Sequence, residues 1–514
     1  MQVKPYSRNN LAEALSNKYT PPEVIESKNH FIYLKDYFES KDIDIKTIVI
    51  EEEYVSKDYL DDYTSYYSLC FEHYPKFCKR VHFFKGTFTN EEFKDIVLKD
   101  EYKNKNFWKH YMGFIVVKPI PLKIIGYSVL RTYKNGIDYE DRKFWGVRKY
   151  KINFYGNEIE FDSLAFQEQD SVLAACATTA IWTMLNKASI DFHTILKSPS
   201  QITQDAGRIS ADGSRLFPNK GLDILQICQA ILNSGLVTEV KQPDYKEFDK
   251  KGRLVKEFIS NSYFKKILNA YSPIGIPIIV IISVPNDNNY GLHAITVSGF
   301  KQKKQKIIVP KNEISWLSEN IEKVYVHDDQ WGPFVRIEFE GEIEIKTPWT
   351  IFHSQLLPTY INNIIVPLFP KIRISYEDIE VIVLGLDAIL TTFFDNNIIS
   401  DLVWDIKIEY SERYKKFIKN SDLSNEVKLS RLKRNLPKYL WIAKCSIGEY
   451  LILEFTFDAT DVVTGMIGKD LISFLPKDIQ SELKKHLIIN QDLFKILFQY
   501  GAGNNYYKFL IENL

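Results

Sequence analysis

The chain has 514 residues, 45% of them hydrophobic and 26% charged, a composition that excludes a disordered protein and a length that calls for two or three domains. Lys plus Arg and Asp plus Glu balance at 66 each, so no global field draws the chain to nucleic acid or to an anionic membrane. Five cysteines, an odd number and widely scattered, argue against a disulfide framework and for a reducing cytoplasm.

Residues 1–110 read as a mostly helical, aromatic-rich region, and the first residues lack the apolar run of a signal peptide. From Phe114 the period changes. GFIVVKPIPLKIIGYSVLRTY is rich in β-branched residues and carries Pro119 and Pro121, which predicts strands near a sheet edge or bulge. WGVRKYKINFYGNEIEFDSLAF continues the strand pattern, turning at Tyr155-Gly156-Asn157-Glu158. The apolar stretch after Ala175 predicts a helix from Cys176 to about Lys187. Residues 198–221 form a long polar loop and a candidate lid. GLDILQICQAILNSG then gives a helix closed by Gly235.

PIIVIISV and GLHAITVSGF predict a strand pair, and the basic KQKKQK at 301–306 a solvated hairpin tip. Its most apolar window, Ile274 to Val284, is too short to span a bilayer. ISWLSENIEK reads as a short helical insertion before another strand pair, VYVHDDQWGPFVRIEFEG. From about Ile374 a separate α+β segment begins, with a helix over Ile379–Phe394 and strands in CSIGEYLILEFTFDAT. The organisation is therefore three parts: 1–110, a core with leading strands at 111–372, and an α+β domain at 373–514.

Thiol chemistry needs a thiolate, a base, a group that orients the base and donors for the oxyanion. A helix N-terminus favours a thiolate, because its unpaired N–H groups and dipole stabilise the anion. Cys176 falls at such a place, preceded by Gln167 and Gln169, either of which could donate an amide N–H to an oxyanion. His293 opens the strand HAITVSGF, and Asp328 and Asp329 end the strand VYVHDD. Neighbours on a strand face opposite ways, so one of the two acids should meet His293. The D-x-x-x-G spacing to Gly332 favours Asp328. Cys70, His73, Cys78 and His82 have a zinc-like spacing, but they sit in an aromatic stretch without a knuckle's glycines. His293 and His327 with the two aspartates are a further metal alternative. No metal and no cofactor are assigned.

Gln before a Cys at a helix start, a His opening the strand His293-Ala294-Ile295-Thr296-Val297-Ser298-Gly299-Phe300, and Asp328 ahead of Gly332 together resemble the papain-like cysteine peptidases, within them the C39-like group. The resemblance covers roughly residues 160–340. It implies an α+β papain-like core, a Cys-bearing helix packed on an antiparallel sheet, with N- and C-terminal extensions. It also implies Cys176 as nucleophile, His293 as base, Asp328 as orienter and Gln169 as oxyanion donor. The implied activity is hydrolysis of a peptide or isopeptide bond in a protein or peptide substrate, without nucleic acid or membrane. The family commonly has Gly after the Cys, where Ala177 stands. The alternatives are an inactive papain-like scaffold that binds proteins, or a deamidase or acyltransferase using the same triad.

Overall fold

The computed structural model describes residues 1–98, 106–133, 141–170, 175–207, 221–287, 289–303, 314–399, 401–462, 467–492, 494 and 503–514. Helix and strand are nearly balanced, at 36% and 35%, which makes the chain α+β. It divides into two compact units. Met1–Ile259, Ile276–Lys301 and Lys323–Pro367 form the first, and Ser260–Gly275, Gln302–Glu322 and Leu368–Leu514 the second. Residues 1–110 therefore belong to the same unit as the centre of the chain. The segments 260–275 and 302–322, expected in that centre, belong with the C-terminal part.

The reason for the first difference is a shared core. The helices expected in 1–110 are present, and among them run three strands that the aromatic pattern hid. Gln2–Pro5, Thr47–Tyr54 and Cys78–Phe84 join Tyr111–Val117 and Ile125–Leu130 in one five-stranded sheet, in chain order. The helix Asn29–Glu39 lays Phe31, Leu34 and Phe38 on that sheet, with Phe38 stacked on Phe83 at 4.2 Å between ring centroids. The same apolar cluster takes in Phe166, Tyr325 and Phe334 from far along the chain. Such burial is the main stabilising force in either segment, so they cannot be cut apart at residue 110 without exposing it.

A hairpin, Arg148–Phe154 with Asn157–Ser163, alternates buried and exposed residues as the period-two pattern requires. Its turn has positive φ at Tyr155 (48°) and Gly156 (83°), the handedness that matches strand twist. Six strands follow: Ile278–Asn286, Asn289–Gln302, Ile321–Asp328, Gly332–Glu340, Glu344–Lys346 and Thr359–Leu368. The first pairs with the last as well as with the second, which closes the set into a barrel. The helix Cys176–Asp191 buries every residue from Ala177 to Ala188, which fits a sequence of mainly apolar and small residues on all faces. Thr296 Oγ1 donates to the Ala180 carbonyl at 3.0 Å and ties the histidine strand to this helix.

Part of the expected lid is ordered helix instead. Pro199–Asp205 starts on a capping box, in which Ser198 and Gln201 satisfy each other's backbone N–H groups. Residues 208–220 of that stretch, and 304–306 of the basic tip, lie outside the described residues. In the second unit, Ser315–Trp316, Leu402–Tyr410, Tyr439–Ile447, Tyr450–Asp458 and Gly468–Ser473 form a five-stranded sheet in that order. Its core holds the rings of Trp404, Trp441, Tyr271 and Tyr376, all buried. The expected helical insertion is only a 3-10 turn, Leu317–Asn320, after the two-residue strand Ser315–Trp316.

Candidate active site

Cys176 is the first residue of its helix. Ala175, the capping residue, makes no side-chain hydrogen bond to the helix start, which leaves that end disposed to accept an anion. The Cys176 residue is half-buried, lines the same cleft as His293, and its thiol acts electrostatically on that ring. His293 Nε2 lies 3.0 Å from Asp328 Oδ1, so Nδ1 is the nitrogen left for the thiol. Asp328 is fixed in turn: its Oδ2 accepts from Trp349 Nε1 at 2.8 Å, and its Oδ1 accepts from the Gln330 backbone N–H at 3.0 Å. The structure thus brings together Cys176, His293 and Asp328 within the first unit.

Two details differ from expectation. His293 does not open its strand; the strand begins at Asn289, because the hairpin is tight and Asn286 pairs with Asn289. Both acids reach the imidazole, since Asp329 Oδ1 stands 3.6 Å from His293 Nε2. The strand ends at Asp328, and its register with Gly332–Glu340 slips between Val326 and Asp328, so strict alternation no longer applies to Asp329.

Burial alone would push His293 down. The Asp328 carboxylate and its hydrogen bond, the Cys176 thiol and Asp329 outweigh it, and the imidazole is held well above its ordinary range. Burial likewise works against an ionised Asp328, yet His293, Trp349 and the Gln330 N–H keep its carboxyl below the usual range. Among the described residues the Asp329 carboxylate has no hydrogen-bond partner, and burial, opposed by His293 and reinforced by Asp328, pushes it up to about 7.

Of the two glutamines, Gln169 is half-buried, while Gln167 is buried with an amide nitrogen that meets no acceptor among the described residues. A buried unsatisfied donor is rare in a folded chain and needs an explanation. The segment that carries both is braced by the N-terminal region. Phe166 pairs with Ser128, and the Lys28 ammonium donates to Glu168 at 2.7 Å. The Tyr67 hydroxyl donates to Asp170. His30 Nε2 meets the Asp329 carbonyl oxygen at 2.8 Å.

Sequence reasoning missed this bracing and missed Trp349, whose signal is weak. Thr347 caps the 3-10 turn Pro348–Thr350 that aims the indole at Asp328. It also left unexplained why Gly332 must be glycine. A Cβ there would stand 2.3 Å from the Tyr33 ring, whose hydroxyl donates to the Pro333 carbonyl. Gly332→Ala is therefore expected to destabilise the protein by about 1–3 kcal/mol, as overpacking does, measurable as a lower urea midpoint at unchanged m.

The other clusters do not converge. His82 uses both ring nitrogens, on the Tyr111 hydroxyl at 2.8 Å and Glu51 at 3.2 Å, and His73 is exposed. His327 Nε2 meets the Leu164 carbonyl oxygen at 3.1 Å, and burial holds its ring at about 4, so it is neutral. His293, Asp328 and Asp329 have donor atoms within 4.8 Å of one another, a spacing a cation could use. The hydrogen bonds from Trp349 and Gln330 already fix Asp328 as a partner of the imidazole, so the group is read as a proton-handling cluster.

A cleft of about 440 Å³ opens beside the thiol, walled by Cys176 and His293 and by Leu225, Ile227, Ile281 and Leu292. Leu225 and Leu292 are 76% and 67% exposed, an unusual loss of apolar burial on both rims. No protein-family model matches the chain, and no curated protein matches it. Among the described residues, no helix is long and apolar enough to cross a membrane.

Proposed function

We propose that the chain is a thiol hydrolase with a papain-like core, cleaving a peptide or isopeptide bond through an acyl-enzyme. One observation carries the reading: a cysteine at an uncapped helix start shares a cleft wall with a histidine that sits 3.0 Å from a fixed carboxylate. Each member has a task. Cys176 attacks the carbonyl carbon, and an amide N–H from Gln167 or Gln169 stabilises the oxyanion. His293 gives its proton to the leaving amine and later takes one from water, while Asp328 holds the ring in orientation.

The buried, unsatisfied amide of Gln167 favours it over Gln169 as the donor. The apolar cleft supports a substrate that places an apolar side chain next to the scissile bond. The same triad can pass the acyl group to another acceptor, so hydrolysis is the default outcome when water is that acceptor.

A peptide electrophile with an apolar side chain beside its warhead tests the reading. It should modify Cys176 in the wild type and nothing in Cys176→Ala. Leu292→Asp should weaken that labelling by about tenfold, the value of one apolar contact, and leave iodoacetamide labelling of Cys176 in place. Equal labelling of the wild type and Cys176→Ala would sink the hydrolase reading.

A further inference from the structure

Asp329 is the acid the catalytic reading leaves without a task. Its side chain is buried, and neither carboxylate oxygen has a hydrogen-bond partner among the described residues. An ionised carboxylate in that condition is costly, and selection for stability alone would place an amide or an apolar group there. Yet its Oδ1 stands 3.6 Å from His293 Nε2, the nitrogen that Asp328 Oδ1 meets at 3.0 Å. The placement is held from outside the site: His30 binds the Asp329 carbonyl oxygen, and the Trp331 N–H donates to the Asp328 carbonyl at 3.0 Å.

The charged groups facing Asp329 come from several elements. Burial raises its carboxyl first. His293 across the site opposes that, Asp328 beside it adds to it, Lys123 before the strand Ile125–Leu130 opposes it and Glu168 adds to it. Glu168 is itself occupied by Lys28 at 2.7 Å and Lys123 at 3.6 Å, with His30 Nδ1 at 3.8 Å. Among the described residues, the cation that an ionised Asp329 meets within ion-pair distance is the His293 imidazolium.

We propose that Asp329 is a second carboxylate for His293, a positioning residue whose charge extends the pH range over which an imidazolium faces the Cys176 thiolate. The proposal rests on the Cys176–His293 reading. The two acids divide the work. Asp328, tied by Trp349 and the Gln330 N–H, sets the orientation of the ring, and Asp329, whose carboxylate has no hydrogen-bond partner among the described residues, supplies charge. In acid Asp329 keeps its proton and one carboxylate faces the ring. As the pH rises through neutrality Asp329 releases that proton to solvent, and its new charge opposes loss of the imidazolium proton.

The test is the rate of Cys176 alkylation by iodoacetamide from pH 5 to 10 in the full chain, read by mass spectrometry of the Cys176 peptide. Wild type, Asp329→Asn and His293→Ala are compared. In Asp329→Asn the alkaline limb should move down by about one pH unit, the smaller end of what a charge at this distance does. The melting temperature of Asp329→Asn at pH 8 should equal or exceed that of the wild type. A raised acid costs stability as pH climbs from the unfolded carboxyl range to about 7 and keeps that cost above it, and the amide removes the cost.

Superimposed alkaline limbs on a reactive, His293-dependent thiol would overturn this inference alone. A fall in melting temperature with no shift of the limb would mark Asp329 as structural and overturn it too. A wild-type thiol no faster than a model thiol, and indifferent to His293→Ala, would overturn the nucleophile reading along with it. If Asp329→Asn fails to fold, labelled histidine in the wild type decides by NMR. His293 should report two titration steps, the lower near pH 7, and a single step overturns the inference.

Discussion

Replacing His293 by alanine is expected to cut turnover of a cleaved peptide by about 10²- to 10⁴-fold, the usual contribution of a placed general acid–base. Two losses add up in that number. The thiol loses the partner that takes its proton, and a free thiol is only a few per cent thiolate at neutral pH. The leaving amine loses its proton donor as well. Asp328→Asn should do less to the thiol and more to the ring, because the amide keeps the shape but no longer holds an imidazolium. Stopped assays on the purified variants, with circular dichroism as the folding control, would measure both. An active His293→Ala would place the base elsewhere.

Glu168→Ala should lower stability by about 3 kcal/mol, because it takes the carboxylate partner from the largely buried Lys28 ammonium and leaves it the Leu122 carbonyl as acceptor. The expected pH dependence has a definite sign. Burial pushes the Glu168 carboxyl up, but His30, Lys28 and Lys123 outweigh it and leave the group below its ordinary value. A depressed acid contributes its stability above the unfolded carboxyl pKa, about 4.3, and loses it as pH falls. The gap between the wild type and Glu168→Gln, read by urea unfolding, should therefore be widest near neutrality and close in acid. Because Glu168 sits between the two glutamines, the same variant should also slow Cys176 chemistry. A gap that stays constant with pH would mean that Glu168 acts through packing and not through its charge.

Local pattern was enough to single out Cys176, His293 and Asp328, which the fold places close together. A polar segment running into a mostly apolar helix marks the start that holds Cys176, and an apolar run after His293 marks its strand. Asp328 was legible from its distance to Gly332, whose own requirement comes from Tyr33, some 300 residues earlier in the chain. What stayed hidden depends on long-range contact or on the exact end of a strand. The strand rule sends Asp329 away from His293, and it fails because the ladder slips between Val326 and Asp328.

Trp349 is a single ring in a short turn, and nothing local tells that it will reach Asp328. The N-terminal sheet was masked by its aromatic residues, which suit helix faces and strands alike. Its union with the centre of the chain follows from Phe166, Tyr325 and Phe334 entering one core, a fact no spacing in the sequence displays.

The central claim is that Cys176 is a chemically special thiol because His293 and Asp328 make it so. The chain supplies its own controls: Cys70 and Cys228 are half-buried like Cys176, while Cys78 and Cys445 are buried. Brief alkylation at pH 6, followed by peptide mapping of all five cysteines, compares them in one sample. The account predicts that Cys176 is modified well ahead of Cys70 and Cys228, and that His293→Ala brings it level with them. Modification that follows exposure alone, and is the same in His293→Ala, would contradict it.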